Sequence, residues 1–399
     1  MLTERFLKAK PILERIEQSG HEAYYVGGCV RDLLLQRPIK DIDITTSATP
    51  IEIQKMFTKV IPVGIEHGTV IVRHEHESYE VTTFRVDGDY SDGRHPDSVE
   101  FIKKIDKDLE RRDFTINALA MDKEGRMIDL FEGQKDIEMQ VIRTVGEGCR
   151  RFKEDALRMI RALRFSSQLG FQIHPDTLND IKLCKDDIAH VSIERITNEM
   201  EKFFAGNAIQ KGINYLYQTE IYLELPIFKD EPELLRLLPQ EMHPLESFSE
   251  VIVLFHYLYP SVSIPTWVKA WKCSNQSRRI AFELLDDLRY FEKNGLDLIF
   301  IYQFQTGRFK PFIRLIRLLF NKQITLQQLT ELKQKLPIKS RKELVVDGND
   351  MISFFPERNG GSWIKNLLNE VEIKVITGEL ENNFNEIKEW LKWNQPEVD

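Results

Sequence analysis

A change of period a little past its first third constrains this chain more than any other feature. Through about residue 145 short alternating runs interleave with helical ones, the mixture that builds an α/β layer. A helix over Glu4–Ser19 leads to a strand at Ala23–Val26, a double glycine, a helix over Val30–Leu35 and a strand over Asp41–Thr45. Thr49-Pro50 marks a further helix start, a capping residue before proline at the first helical position. Strands follow at Thr69–Arg73 and Tyr79–Arg85, and strand-like runs return at Ser98–Ile102 and Met127–Asp129. The polar, aperiodic DGDYSDGRHP of Asp87–Pro96 reads as a mobile loop. From about Glu147 the pattern is helical almost throughout, and prolines 226, 244, 260 and 337 punctuate it only softly. The expected organisation is an α/β head over 1–147 and helical segments over 148–225, 226–306 and 307–399.

With 399 residues, 42% of them hydrophobic, the chain can form several packed cores. Its net charge of −8 does not mark it as a nucleic-acid binder, although an average can hide a local basic stripe. Cys29, Cys149, Cys184 and Cys273 form no CxxC pair, which excludes a cysteine-rich zinc site and suggests a reducing cytoplasm. The charged, amphipathic first residues do not resemble a signal peptide, and no apolar run reaches the length of a membrane span.

The chemistry begins at GGCVRD, residues 27–32, between a strand and a helix. Glycines there allow close approach of a phosphate to the backbone, and Arg31 offers a two-pronged guanidinium. Alone the motif reads as a tight turn with a surface arginine. Nine residues past Asp32 comes Asp41-Ile42-Asp43-Ile44, where alternation on a strand projects both carboxylates together and turns the isoleucines inward. Two such carboxylates repel unless a cation separates them, and hard oxygen ligands suit Mg²⁺. A solvated strand edge is the ordinary reading of a lone DxD; the phosphate turn just upstream argues against it here. Glu80 is the candidate third carboxylate.

The segment RRDFTIN at 111–117 makes Asp113 a candidate helix cap and leaves Arg112 and Asn117 to contact a nucleotide. In a helix over Glu154–Phe165, Asp155 and Arg158 stand three apart on one face, with Arg161 and Arg164 extending the row. Surface ion pairing is the plain alternative. An acceptor beside a donor has a specific use, however. It matches the pairing edges of cytosine and adenine and mismatches those of uracil and guanine.

Together these segments identify a resemblance. GGCVRD, DIDI, RRDFTIN, EDALRMIR and VSIERITNEM occur in the order seen in class II tRNA nucleotidyltransferases, the CCA-adding enzymes and their bacterial poly(A) polymerase relatives. The motifs span about residues 27–200, and the remainder resembles the compact helical version of Gram-positive bacteria. The resemblance implies a polymerase-beta-like head with a mixed sheet, then an elongated all-helical neck, body and tail. It implies Mg²⁺ at Asp41 and Asp43, and nucleotide contact by Gly28, Arg31 and Arg112. It implies base reading by Asp155 and Arg158 with help from Arg161 and Arg164, and a supporting role for Ser192–Arg195 in holding the neck helices. CTP and ATP would be the substrates and the 3′ end and elbow of tRNA the partner; a homodimer is left open. The loop at Asp87–Pro96 matches a segment shortened in CC-only relatives, which favours addition of the terminal A.

An RNA partner has independent support. Between Gly307 and Lys342 ten lysines and arginines face one acidic residue, Glu331. Arg308, Lys310, Arg314, Arg317, Lys339, Arg341 and Lys342 are the candidate contacts to an RNA backbone, since a merely solvated face would mix its signs. The rival readings are a poly(A) polymerase, against which the acidic ending NQPEVD counts, an enzyme adding only CC or only A, and a non-catalytic RNA-binding protein.

Overall fold

A computed structural model describes residues 2–88 and 98–394. The described chain divides into two units, one formed by residues up to Leu238 with 242–248 and 269–273, the other by most of the residues from Ser249 onward.

The first unit opens with α1 (Glu4–Gln18), β1 (Ala23–Val26), α2 (Gly28–Leu34), β2 (Asp43–Thr46) and α3 (Pro50–Met56). Then come β3 (Val60–Gly64), β4 (Thr69–His74), β5 (Glu77–Thr83), β6 (Arg85–Asp87), β7 (Val99–Phe101), α4 (Ile105–Glu110), β8 (Leu119–Met121) and β9 (Met127–Asp129). Seven of these strands form one sheet in the order β3-β4-β5-β2-β1-β8-β9. The sheet is mixed: β2 and β5 run parallel, and the other neighbours run antiparallel. Helix α3 starts with the cap read from the sequence: Thr49 and Glu52 close a reciprocal capping box around Pro50. Val26, Phe84, Ile105, Leu109 and Ala120 pack one side of the head into a core.

Several expectations shift. β2 starts at Asp43, so Asp41 lies just before the strand, but Ile42 and Ile44 are buried as the alternation requires. β3 and β8 are additional strands. Pro62 in the middle of β3 disguises an edge strand, and β8 shows no alternation because all three residues are buried. β6 and β7 pair with each other outside the main sheet. The loop expected at Asp87–Pro96 lies outside the described residues apart from Asp87 and Gly88.

The helical part of this unit runs through α5 (Gly133–Glu138), α6 (Gly148–Glu154), α7 (Leu157–Leu169), α8 (Pro175–Cys184), α9 (Ile193–Phe204) and α10 (Ile209–Thr219). A two-residue parallel pair joins β10 (Val141–Ile142), at the end of the expected head, to β11 (Gln172–Ile173), which lies inside the stretch expected to be helical. The helix expected over Glu154–Phe165 is in fact two. Asp155 is extended, with φ −153° and ψ 102°, and its carboxylate accepts the Leu157 N–H at 3.2 Å, so the side chain competes with helix continuation. Two cysteines far apart in sequence meet here as free thiols, Cys149 and Cys184, with sulfurs 3.2 Å apart.

The second unit is helical: α11 (Phe248–Leu258), α12 (Ile264–Ala270), α13 (Asn275–Asn294), α14 (Leu298–Gln303), α15 (Phe309–Phe320), α16 (Leu326–Gln334), α17 (Gly348–Phe354), α18 (Ser362–Thr377) and α19 (Phe384–Trp393). Phe300, Phe304 and Phe312 interlock at centroid distances of 4.8–5.5 Å and nucleate its core. No helix among the described residues is long and apolar enough to cross a membrane.

Candidate active site

The parallel β2–β5 ladder places Asp43 opposite Glu80. Residues in register on neighbouring strands share a face, so these two carboxylates stand side by side, with Asp41 two residues before Asp43. Burial pushes the Asp43 carboxyl up to about 6; Glu80 and Asp41 add to the rise, and Arg112 opposes it. Among the described residues no three acidic, histidine or cysteine side chains converge closely enough to cage a metal ion. The donor set is a crowded carboxylate edge, open toward solvent at Asp41 and Glu80.

Beside it, Gly27 joins β1 to α2 with φ +73°, a conformation costly for other residues. A Cβ there would sit 2.9 Å from an Arg112 guanidinium nitrogen, so the turn holds that guanidinium close against its backbone, and it is the positive φ that requires glycine. The constrained glycine is therefore Gly27, while Gly28 simply begins α2. Arg112 reaches Asp108 at 3.4 Å, and its buried Nε has no hydrogen-bond acceptor.

Arg31 is buried, and the fork expected to grip phosphate is filled by Asp32, at 3.0 and 2.8 Å. Its remaining Nη1 donates to Asn117 Oδ1 at 2.6 Å; Asn117 donates to Asp113 at 3.1 Å, and Arg161 Nε donates to the other Asp113 oxygen at 2.8 Å. Asp113 is no helix cap, because only a single 3₁₀ turn, Thr115–Asn117, follows it. Burial raises its carboxyl, but Arg161 and the Asn117 amide outweigh that and hold it well below the usual carboxylate range. Polar chains of this kind, buried and satisfied, fix geometry.

Asp155 and Arg158 do not share a helix face, because α6 ends at Glu154 and leaves Asp155 extended in the break before α7, which carries Arg158. Asp155 takes a two-pronged contact from Arg195 on α9, at 3.1 and 2.8 Å. Arg158 donates to Glu154 at 2.7 Å and to the carbonyl oxygens of Arg151 and Arg111 at 3.2 and 3.0 Å. Each has unused capacity: a carboxylate has about four acceptor sites and a guanidinium five donors. Arg164 pairs with Glu199 at 2.6 Å.

Sequence reasoning overlooked Asp108, the fully buried carboxylate that binds Arg111 at 3.0 and 2.8 Å and reaches Arg112. Burial would raise its pKa, yet the two guanidiniums hold it low. The signal was present in DLERR, an acid three and four residues before two arginines.

The tail candidates lie in the second unit, and their fates differ. Arg308 binds Asp287 at 2.6 and 3.2 Å and Glu283 at 3.1 Å, Arg314 binds the buried Glu250 at 2.7 and 3.1 Å, and Arg341 is joined to Glu372. Lys333 donates to the closing carbonyls of α14, among them Ile301 at 2.8 Å. Lys310, Arg317, Lys339 and Lys342 are exposed. The expected footprint is thus thinner than its ten cations suggest.

A mixed sheet carrying paired carboxylates on two adjoining interior strands, a glycine-arginine turn beside them and a helical continuation defines a nucleotidyltransferase. The sequence matches the Poly A polymerase head domain family over residues 23–143, the "Probable RNA and SrmB- binding site of polymerase A" family over 170–231, and the putative tRNA nucleotidyltransferase domain 2 family over 244–391. It is 49% identical to the CCA-adding enzyme of Oceanobacillus iheyensis over 398 residues, 100% of each chain, and 40% identical to that of Bacillus mycoides across 98% of each. The crystal structure of the Bacillus stearothermophilus CCA-adding enzyme in complex with CTP superposes with a TM-score of 0.84, at 36% identity over 98% of each chain. The chain belongs to the CCA-adding enzyme family.

Proposed function

We propose that the protein adds C, C and A, without a nucleic-acid template, to the 3′ end of tRNA, using CTP and ATP and releasing pyrophosphate. The observation that carries this reading is the joining of two sites in one unit. A chain of hydrogen bonds runs from Arg31, on the helix that follows the glycine turn beside β2, through Asn117 and Asp113 to Arg161, on the helix that bears Arg158 and follows Asp155. Chemistry and base choice are thereby held in one frame.

The family works with a divalent metal ion, and we assign Mg²⁺. Asp41 and Asp43 would hold it, with Glu80 adjacent. Burial first, and then the charges of Glu80 and Asp41, disfavour the ionised Asp43 carboxylate, a cost that a hard cation would offset, and two carboxylates completed by phosphate oxygens and water are typical of magnesium. When bound, the ion supplies Lewis-acid stabilisation of the transferring phosphoryl group and lowers the pKa of the tRNA 3′-hydroxyl. The chain's own part is positioning. Arg112 offers its unsatisfied Nε–H to an incoming triphosphate or ribose oxygen, next to the turn at Gly27 and Gly28. Arg31 and Asn117 brace that side.

Asp155, fixed by Arg195, presents an acceptor; Arg158, fixed by Glu154, presents a donor. Cytosine and adenine offer the complementary order, and uracil or guanine would leave buried polar groups unpaired. Segments 148–225 and 307–399 serve as neck and tail, and Lys310, Arg317, Lys339 and Lys342 contact the tRNA elbow through its backbone. Four free cysteines fit a cytoplasmic setting.

The test uses a tRNA transcript lacking its 3′ CCA, with CTP, ATP and Mg²⁺. The expected product carries two C and then one A. Long A tracts on unrelated RNA would overturn the reading in favour of a poly(A) polymerase.

A further inference from the structure

Phe165, on α7, is 3% exposed and can touch neither nucleotide nor solvent to any useful extent. Yet three guanidiniums stand over its ring: Arg164 at 4.0 Å, Arg31 at 5.1 Å and Arg161 at 5.5 Å from the centroid. A fourth side, the ring of Phe114 from the RRDFTIN segment, meets it edge-on at 5.8 Å. Three like charges gathered so closely repel. Burial, helped by the neighbouring Arg161 and Arg31, pulls the Arg164 guanidinium down to about 10. Asp113 and Glu199 neutralise Arg161 and Arg164 from outside the cluster, and the electron-rich ring face is the attraction at its centre.

The three arginines come from both halves of the machinery. Arg31 follows the glycine turn, whereas Arg161 and Arg164 belong to the helix that begins just after Asp155. We propose that Phe165 is a positioning residue whose ring sets the spacing between the triphosphate grip and the base-reading helix, and thereby the fit of CTP and ATP as whole nucleotides. This rests on the proposed function for the meaning of the two ends, but the cluster can be tested without turnover.

Shape and π charge can be separated. Incorporating 4-fluoro-, 3,5-difluoro- and 3,4,5-trifluorophenylalanine at 165 keeps the ring and drains its face stepwise. Calorimetric CTP binding, with no tRNA present, is expected to weaken about twofold or more per step, and the CTP-over-UTP preference in tRNA extension is expected to fall in parallel. Phe165→Leu should resemble the trifluoro form in affinity, about tenfold below wild type, with thermal unfolding recorded to separate loss of fold. A flat fluorination series in CTP affinity overturns the proposal, even if Phe165→Leu is impaired, since packing alone would then explain it. Wild-type protein that binds CTP yet does not extend tRNA would overturn the functional reading and leave the positioning role to the binding series.

Discussion

Arginines crowd two regions of this molecule, and the structure uses them in different ways. In the first unit Arg31, Arg112, Arg158 and Arg161 are braced by carboxylates, an amide and carbonyls, yet keep donors in hand around a carboxylate edge. In the second unit Arg308, Arg314 and Arg341 are taken up by Asp287, Glu250 and Glu372. As sequence, the tail is the more one-sided of the two, with ten cations against Glu331 between Gly307 and Lys342. The lesson is that a charge is available for a ligand only after its partners are counted, and for the tail arginines those partners sit 21 to 64 residues away along the chain.

Asp43 separates the two regions by the largest effect, because it stands at the chemistry and the tail arginines do not. Asp43→Ala is expected to lower nucleotide addition on the order of 10³- to 10⁴-fold while leaving the thermal unfolding temperature close to or above that of wild type, because it removes a buried, repelled charge. Single-turnover addition of C to tRNA measures the first quantity. Near-normal turnover would remove Asp43 from the chemistry.

Arg314→Ala should do the reverse. Glu250 is 1% exposed, and taking away its two-pronged partner is expected to cost about 3 to 5 kcal/mol in urea unfolding. Arg317→Ala, exposed one turn away, is expected to cost less than about 0.5 kcal/mol. Equal effects would erase the distinction between structural and available cations.

Asp113 offers a pH reading of the first region. Its carboxyl is held below the value it has when unfolded, 3.8, so the unfolded chain binds the proton more readily. The stability it contributes is present above about pH 4 and is lost as pH falls through the folded value. Asp113→Asn should therefore be destabilised by about 3 kcal/mol at pH 7 and show a shallower loss between pH 4 and pH 2. Parallel acid limbs for the two proteins would contradict the Arg161 pairing.

Asp155→Ala tests base choice rather than catalysis, with an expected fall in CTP-over-UTP selectivity of about 10²-fold and a smaller change in turnover on CTP. Here the limits of reading sequence show. Asp155, Arg158, Arg161 and Arg164 are visible as one charged row, and their grouping near the nucleotide chemistry was legible. That Asp155 leaves the helix was not, because the carboxylate that accepts the Leu157 N–H is also held by the fork of Arg195, forty residues away. Strands such as β4 and β5 were legible from alternation because one face of each is exposed, whereas the mixed order of the sheet was implied only by the family resemblance. β8 escaped because it is buried throughout, and β3 because Pro62 sits in it. Local pattern reports local causes; long-range partners and two-sided burial erase it.

The smallest effect is the most telling for the tail. Lys339 and Lys342 are exposed in the 3₁₀ region around Arg341–Glu343, whereas Arg341 between them is joined to Glu372. If the exposed lysines meet tRNA phosphates, each alanine substitution should weaken binding by under about 1 kcal/mol and reduce the slope of log affinity against log salt by about 0.7 to 0.9. Arg341→Ala should leave that slope unchanged while lowering stability, since its charge already has a partner in the free protein. A slope that falls for Arg341→Ala and stays constant for the lysines would reverse the assignment, and would mean that tRNA displaces Glu372 to claim its cation.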